Sequence, residues 1–419
     1  MSRRNPRRIE RTPNIGWLAA ILAALLTGPV SAQLPVTELN TVFPPGGQQG
    51  QTVEVSISGG NQDEVDQLLF SHKGITAKQK MHEPDDFHKS PWPDEGKFLV
   101  DISADVPAGI YEARAVGRFG ASNPRAFAVG VNEELIDDGS NKSLDKAREI
   151  PVGVVVNGKV DGSTMDYYKF PLKQNQRVLI DCFAQRIDSR MDGTLVVYNE
   201  AGVELARSRD AIDKDPLIDF TAPTEGLYVV AVYDFLYNGG GDYFYRLTVH
   251  NEPHIDFIFP PAGEAGKSTQ FTIYGRNLPG GKPVDGLSID GYPVEQITAS
   301  VSLPADPNQF TDPMTAYVTP TSAFLIGQPF RTGNSNAVPI YLGRAPLVLE
   351  QGDNDEIDKA QKVSVPCEFA GQFYPARDVD WVEFEAQAGD VLWIDVLSHR
   401  LGLNTDPFLI VKRVNKNDQ

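Results

Sequence analysis

The 419-residue sequence contains one pattern twice. Val42-Phe43-Pro44-Pro45-Gly46-Gly47 recurs as Ile258-Phe259-Pro260-Pro261-Ala262-Gly263, and Gly120-Ala121-Ser122-Asn123 as Gly333-Asn334-Ser335-Asn336. Leu144-Asp145-Lys146-Ala147 recurs as Ile357-Asp358-Lys359-Ala360, Asp166-Tyr167-Tyr168-Lys169-Phe170 as Asp380-Trp381-Val382-Glu383-Phe384, and Val178-Leu179-Ile180-Asp181 as Leu392-Trp393-Ile394-Asp395. The offset stays within roughly 213 to 216 residues, the mark of a duplicated unit with small insertions. Each unit divides in two, because the pattern restarts after Gly130 and again after Gly343.

Within each part apolar residues alternate: Val53, Val55, Ile57 and Thr269, Phe271, Ile273 in the first halves, Val178, Ile180, Cys182 and Leu392, Ile394, Val396 in the second. Alternation at period two marks half-buried strands. With 37 Gly and 31 Pro to make turns and no apolar stripe of helical spacing, the chain is expected to be all-β. The expected architecture is a row of tandem β-sandwiches: immunoglobulin-like modules at 34–131 and 252–344, alternating with jelly rolls at 132–251 and 345–419. The last module is expected to be truncated, because Gln419 falls before any counterpart of Leu217 to Val249. Its apolar faces then call for a strand-completing partner at the C-terminus.

Arg3, Arg4, Arg7, Arg8 and Arg11 precede an apolar run from Trp17 to Leu26 and the small triplet Val30-Ser31-Ala32, the layout of a signal peptide over 1–32. Ten apolar residues rise only about 15 Å as a helix, too little for a bilayer core. Cleavage is expected after Ala32, giving a product without a membrane span that is secreted to the periplasm, cell surface or medium. Asn5-Pro6 breaks the apolar continuation a twin-arginine signal needs, which favours the general route. The net charge of −18 disfavours a nucleic-acid partner. Two cysteines exclude a disulfide scaffold; Cys182 aligns with Val396 and Cys367 with Val154, so each is expected to act as a small buried hydrophobe.

Asp378-Val379-Asp380-Trp381-Val382-Glu383-Phe384, followed by Ala388-Gly389-Asp390-Val391-Leu392, resembles the bacterial pre-peptidase C-terminal (PPC) domain. So do Asp166 to Phe170, Thr224 to Val229 and Tyr243 to Val249 in the first copy. The other two modules resemble immunoglobulin-like or TIG-type domains. The resemblance implies a secreted jelly roll with a noncatalytic accessory or substrate-binding role, often beside a peptidase, though no peptidase domain is visible. It also implies calcium held between the linker before each jelly roll and the turn before the first aromatic strand. Glu350, Asp353, Asp355, Asp378 and Asp380 supply hard oxygens of the kind Ca²⁺ takes. Asp137, Asp138, Asn141, Asp161 and Asp166 are the first-copy candidates, with Thr164 standing where the second copy has Asp378. A solvated acidic linker accounts for the same residues equally well.

No catalytic motif stands out, and the chain is not expected to be an enzyme. His82 and His88 are separated by Pro84 at a spacing that suits no zinc-protease helix. Gly333-Asn334-Ser335-Asn336-Ala337 lacks the last glycine of a nucleophile elbow, and its copy at Gly120 favours a turn. The segment Tyr233 to Tyr245 gathers aromatic rings around a glycine turn, so Tyr233, Tyr237, Tyr243 and Tyr245 are candidates for contacting an extracellular polymer, protein or polysaccharide. Alternation assigns about half of these rings to the core. Three functions remain open: a calcium-stabilised adhesive or substrate-binding array, the accessory part of a larger secreted peptidase or hydrolase, and a structural spacer of the cell envelope.

Overall fold

Alternation along Thr52–Ser58 turns Val55 and Ile57 inward and Glu54, Ser56 and Ser58 outward, and the same logic builds two facing sheets around it. The computed structural model describes residues 35–414 apart from 213, 290, 307–326, 376 and 402–404; the expected leader lies outside the described residues. One sheet of the first sandwich runs Thr41–Phe43, Thr52–Ser58, Trp92–Ile102, Ile75–His82; the other runs Gly46–Gln48, Arg125–Gly130, Gly109–Gly117, Gln67–Phe70. This is the strand order of an immunoglobulin-like sandwich. Val55, Phe98, Val100, Phe127 and their neighbours fill the space between the sheets, each large side chain contributing about 1.5–3 kcal/mol by leaving water.

The duplicate repeats the plan. His254–Phe259, Ser268–Arg276, Tyr292–Ser302 and Lys282–Ile289 form one sheet, and Ala262–Glu264, Val338–Gly343 and Gly327–Phe330 the described part of the other. Both copies share a parallel pair, Gly46–Gln48 with Ala128–Gly130 and Ala262–Glu264 with Tyr341–Gly343. The Phe43–Pro44 and Phe259–Pro260 bonds are both cis.

Between the sandwiches lie two five-stranded sheets. The first is ordered Glu134–Ile136, Val155–Lys159, Phe244–His250, Arg177–Phe183, Leu217–Thr221; the second Arg148–Glu149, Asp166–Leu172, Gly226–Asp234, Gly193–Asn199, Glu204–Ser208. Tyr168, Phe170, Ile180, Cys182, Val230 and Leu247 are among the residues closing the core between them. Cys182 is a buried free thiol as expected, whereas Cys367 is free but only half-buried.

The first sandwich packs on the outer face of strand Phe244–His250. Phe244 joins Ala126, Ala128 and Ile187 there, Ala126 N donates to Asp188 Oδ2 at 2.8 Å, and Arg246, held by Glu134 of its own sheet at 2.7 Å and 2.9 Å, lies against Gly46. A Cβ on Gly46 would fall 2.2 Å from both the Ala128 carbonyl and Arg246 Nη1, so only glycine permits this approach. The second sandwich is tied to the same sheet by Arg177, which bonds Asp219 and, at 2.5 Å, Glu295.

Beyond Ala345, Leu347–Leu349 pairs in parallel with Glu368–Ala370, and Gln361–Lys362 with Val382–Glu383. The expected strand through Leu392, Ile394 and Val396 is not formed: Val391 and Trp393 are 97% and 92% exposed. The physical reason is visible in the first copy, where Arg177–Phe183 is held between Leu217–Thr221 and Phe244–His250. No described segment plays those parts for residues 391–397.

Candidate binding face and carboxylate cradles

Asp378 and Asp380 precede the short strand Val382–Glu383, while Glu350 follows Leu347–Leu349. The parallel pairings bring the two ends together, so that one carboxylate oxygen from each of Glu350, Asp378 and Asp380 lies within 4.8 Å of the others. Burial, then the hydrogen bond and charge of Glu350 and the charge of Asp378, push the Asp380 carboxyl up to about 7. Asn354 donates from Nδ2 to Asp380 Oδ1 at 3.3 Å; it is buried, and its Oδ1 has no partner. Two expected ligands stay outside this group. Asp353 is exposed and paired with Lys359 at 2.9 Å, and Asp355 is exposed on the far side of Asn354 in sequence.

The first-copy residues converge differently. Asp166 is fully buried; its Oδ1 receives Lys142 Nζ at 2.5 Å and its Oδ2 the Tyr245 hydroxyl at 2.7 Å. Lys142 also reaches Asp161 Oδ2 at 3.1 Å. Burial raises the Asp166 carboxyl above its ordinary range even against Lys142 and Tyr245. Asp137 accepts the Gly139 amide at 3.1 Å and lies 3.6 Å from Arg148, and buried Asn141 donates to the Tyr167 carbonyl at 3.2 Å. Asp138 turns away to Ser140, whose hydroxyl and amide hold its carboxyl below the usual range. A lysine ammonium therefore stands among the first-copy carboxylates, a residue the sequence reading passed over.

The aromatic candidates separate by face. Tyr233 and Tyr237 stack at 5.1 Å on the outer side of the sheet containing Gly226–Asp234. They are joined by Tyr167 and Tyr198, which with Met165 pack over Val196 and Ala231 on the same face. Arg207 donates to the Tyr233 hydroxyl at 2.6 Å. Burial and the neighbouring tyrosines raise the Tyr167 and Tyr198 hydroxyls above their ordinary range. Tyr243 instead is half-buried against the core, and Tyr245 is 0% exposed, its hydroxyl 2.6 Å from that of Tyr168. Tyr245 is thus corrected from a surface candidate to a core residue, and Tyr233, only 5% exposed with its hydroxyl taken by Arg207, is corrected to a buried support of the face. Phe244 is buried as well, because the first sandwich covers the face that alternation alone would leave in water.

Ser122 and Ser335, the centres of the two elbow-like motifs, are buried turn residues. Each donates its hydroxyl to the next carbonyl, at 2.7 Å and 2.8 Å. Neither is poised for attack on a substrate. His82 and His88 stack on Trp92 with centroids 4.9 Å and 4.0 Å away, paired with Asp94 and Asp85.

No protein family matches the chain, and no curated protein does. Among solved structures, the pre-peptidase C-terminal domain of collagenase from Bacillus anthracis is 23% identical, covering 25% of this chain and 93% of that one, with a TM-score of 0.21. The Bacteroides ovatus SGBP-B of the mixed-linkage glucan utilization locus, solved with a heptasaccharide, is 10% identical over 52% of this chain and 77% of its own, with a TM-score of 0.18. The fibronectin(III)-like modules of Clostridium thermocellum CbhA are 13% identical over 50% and 92%, with a TM-score of 0.17. Likeness at these scores leaves function to be argued from the chain's own residues.

Sequence reasoning missed Tyr167, Tyr198 and Arg207. Tyr167 and Tyr198 lie on strands that both flank Gly226–Asp234, a neighbourhood that sheet order creates and sequence spacing does not announce. The outward phase of Tyr167, between inward Asp166 and Tyr168, was the signal available.

Proposed function

We propose that the chain is a secreted, noncatalytic binding array whose polymer-contacting surface is the tyrosine face of the first jelly roll. The observation that carries this reading is the layer of Tyr167, Tyr198 and Tyr237, together with buried Tyr233, on the outward side of a sheet, where an antiparallel sheet ordinarily carries polar side chains. Tyrosine combines a flat apolar ring with a hydroxyl, which suits stacking on and hydrogen bonding to an extended chain. Tyr237, 43% exposed, is the most accessible of the four.

In the same reading Glu350, Asp378, Asp380 and Asn354 hold Ca²⁺. Their fit rests on three crowded carboxylates, of which burial, Glu350 and Asp378 raise the Asp380 carboxyl, and on a buried amide oxygen without a partner. All are hard oxygen donors, the type calcium prefers. When bound, the ion would offset most of the cluster's negative charge and fix the linker against the turn before Val382.

The test is co-sedimentation of the protein with insoluble β-glucan, cellulose, peptidoglycan and fibrous collagen. Tyr237→Ala and Tyr167→Ala are expected to weaken binding to one of these by about tenfold each, a loss of ~1.4 kcal/mol, with the melting temperature little changed. Binding that survives both substitutions would place the surface elsewhere. No binding to any of the four would overturn the reading.

A further inference from the structure

The two cradles are the same structure with different charge. Asp137 N donates to the Asn157 carbonyl at 2.8 Å, and Glu350 N to the Ala370 carbonyl at 2.9 Å; Tyr167 N donates to the Asn141 carbonyl at 2.9 Å, and Trp381 N to the Asn354 carbonyl at 2.8 Å. Arg148 pairs with Tyr168 as Gln361 pairs with Val382. Backbone geometry therefore matches Asp137 with Glu350, Asn141 with Asn354 and Asp166 with Asp380, without appeal to sequence similarity. Both asparagines are buried, at 0% and 1% exposure, and both carry an Oδ1 with no partner.

One residue after each asparagine the copies part. The first has Lys142, whose ammonium bridges Asp166 and Asp161; the second has Asp355. The turns that follow, Leu144–Lys146 and Ile357–Lys359, are alike, each preceded by an extended residue. The ungapped register from Asn141 to Ala147 and from Asn354 to Ala360 makes Lys142 and Asp355 true counterparts.

We propose that Lys142 is a built-in counter-ion, closing the first cradle to divalent metal, and that the aspartate in its place leaves the second cradle open to one. The inference rests on the calcium reading of the second copy but adds a distinct claim about the first. A tethered ammonium cannot be removed by a chelator or diluted away. It also occupies the Asp166 oxygen that corresponds to a carboxylate of the metal cluster. The chain should accordingly hold one calcium ion rather than one per repeat, and metal removal should loosen only the second jelly roll.

Calcium titration of the full chain after chelator treatment, followed by calorimetry and by terbium luminescence, tests this. One ion is expected for the wild-type chain, two for Lys142→Asp and none for Asp355→Lys. Two ions in the wild type would overturn the proposal, as would a folded Lys142→Asp chain that gains none. A wild-type chain that binds none would sink the calcium reading and with it the claim that the second cradle is open; Lys142→Asp would then still decide the claim about the first, a gained ion supporting the counter-ion role and no gain overturning it. If Lys142→Asp folds only when calcium is added, that dependence is the expected gain. If it folds under neither condition, Asp355→Lys decides: lost binding supports the proposal and retained binding overturns it.

Discussion

His254 shows how a single side chain at a junction sets a pH limit. It is buried where the first jelly roll runs into the second sandwich, with Nε2 3.7 Å from Asp256 Oδ1. Burial pushes its imidazole down to about 4; Asp181 pulls the other way, while Arg276, Arg186 and His250 add to the depression. The ring is neutral in the fold and takes up a proton near 6.5 once unfolded. The unfolded chain therefore binds more protons between pH 6.5 and 4, and stability falls as pH drops through that window. His250, also depressed by burial, acts in the same sense. His254→Gln is expected to flatten part of this acid loss in urea midpoints measured from pH 7 to pH 4. An equally steep loss in the variant would assign the acid sensitivity to other groups.

Strands are where the sequence speaks most clearly and where it stops. Period-two alternation placed Val55, Ile57, Phe271 and Ile273 on inward faces, and all four are buried. The clustered carboxylates and the resemblance to PPC domains likewise single out Glu350, Asp378 and Asp380 in the sequence. Alternation says nothing about what covers the second face of a strand. Tyr245 is therefore a core residue and not a surface one, since strand Phe244–His250 is covered on one side by its own core and on the other by the first sandwich. The converse holds for residues 391–397, whose apolar alternation finds no strand partner among the described residues. Their amides are expected to exchange with solvent orders of magnitude faster than those of Arg177–Phe183, which is hydrogen-bonded along both edges. Equal protection of the two segments in a demonstrated monomer would show that the second copy finds a cover of its own.

Three modules contact one another pairwise. The first sandwich and first jelly roll meet at Phe244 and where Gly46 lies against Arg246, the jelly roll and second sandwich at Arg177 and Glu295, and the two sandwiches where Arg331 donates to the Ala108 carbonyl.

The parallel pairs of the sandwiches matter once the chain is put under tension. Gly46–Gln48 follows directly on the entering strand Thr41–Phe43 and Ala128–Gly130 lies where the chain leaves the first sandwich, and they run side by side in register; Ala262–Glu264, directly after His254–Phe259, and Tyr341–Gly343 do the same in the second. A pull on the two ends drags each pair past itself along the strand axis. The cross-strand hydrogen bonds are then loaded together in shear instead of parting one after another, as they would at a peeled edge. Single-molecule stretching should show each sandwich yielding as one abrupt, high-force event, and Ala128→Pro, which deletes the amide that donates to the Pro45 carbonyl across the first clamp, should lower that force in the first sandwich only. A protein anchored at one end and attached to a polymer through its middle would meet flow or traction as a shock-resistant tether.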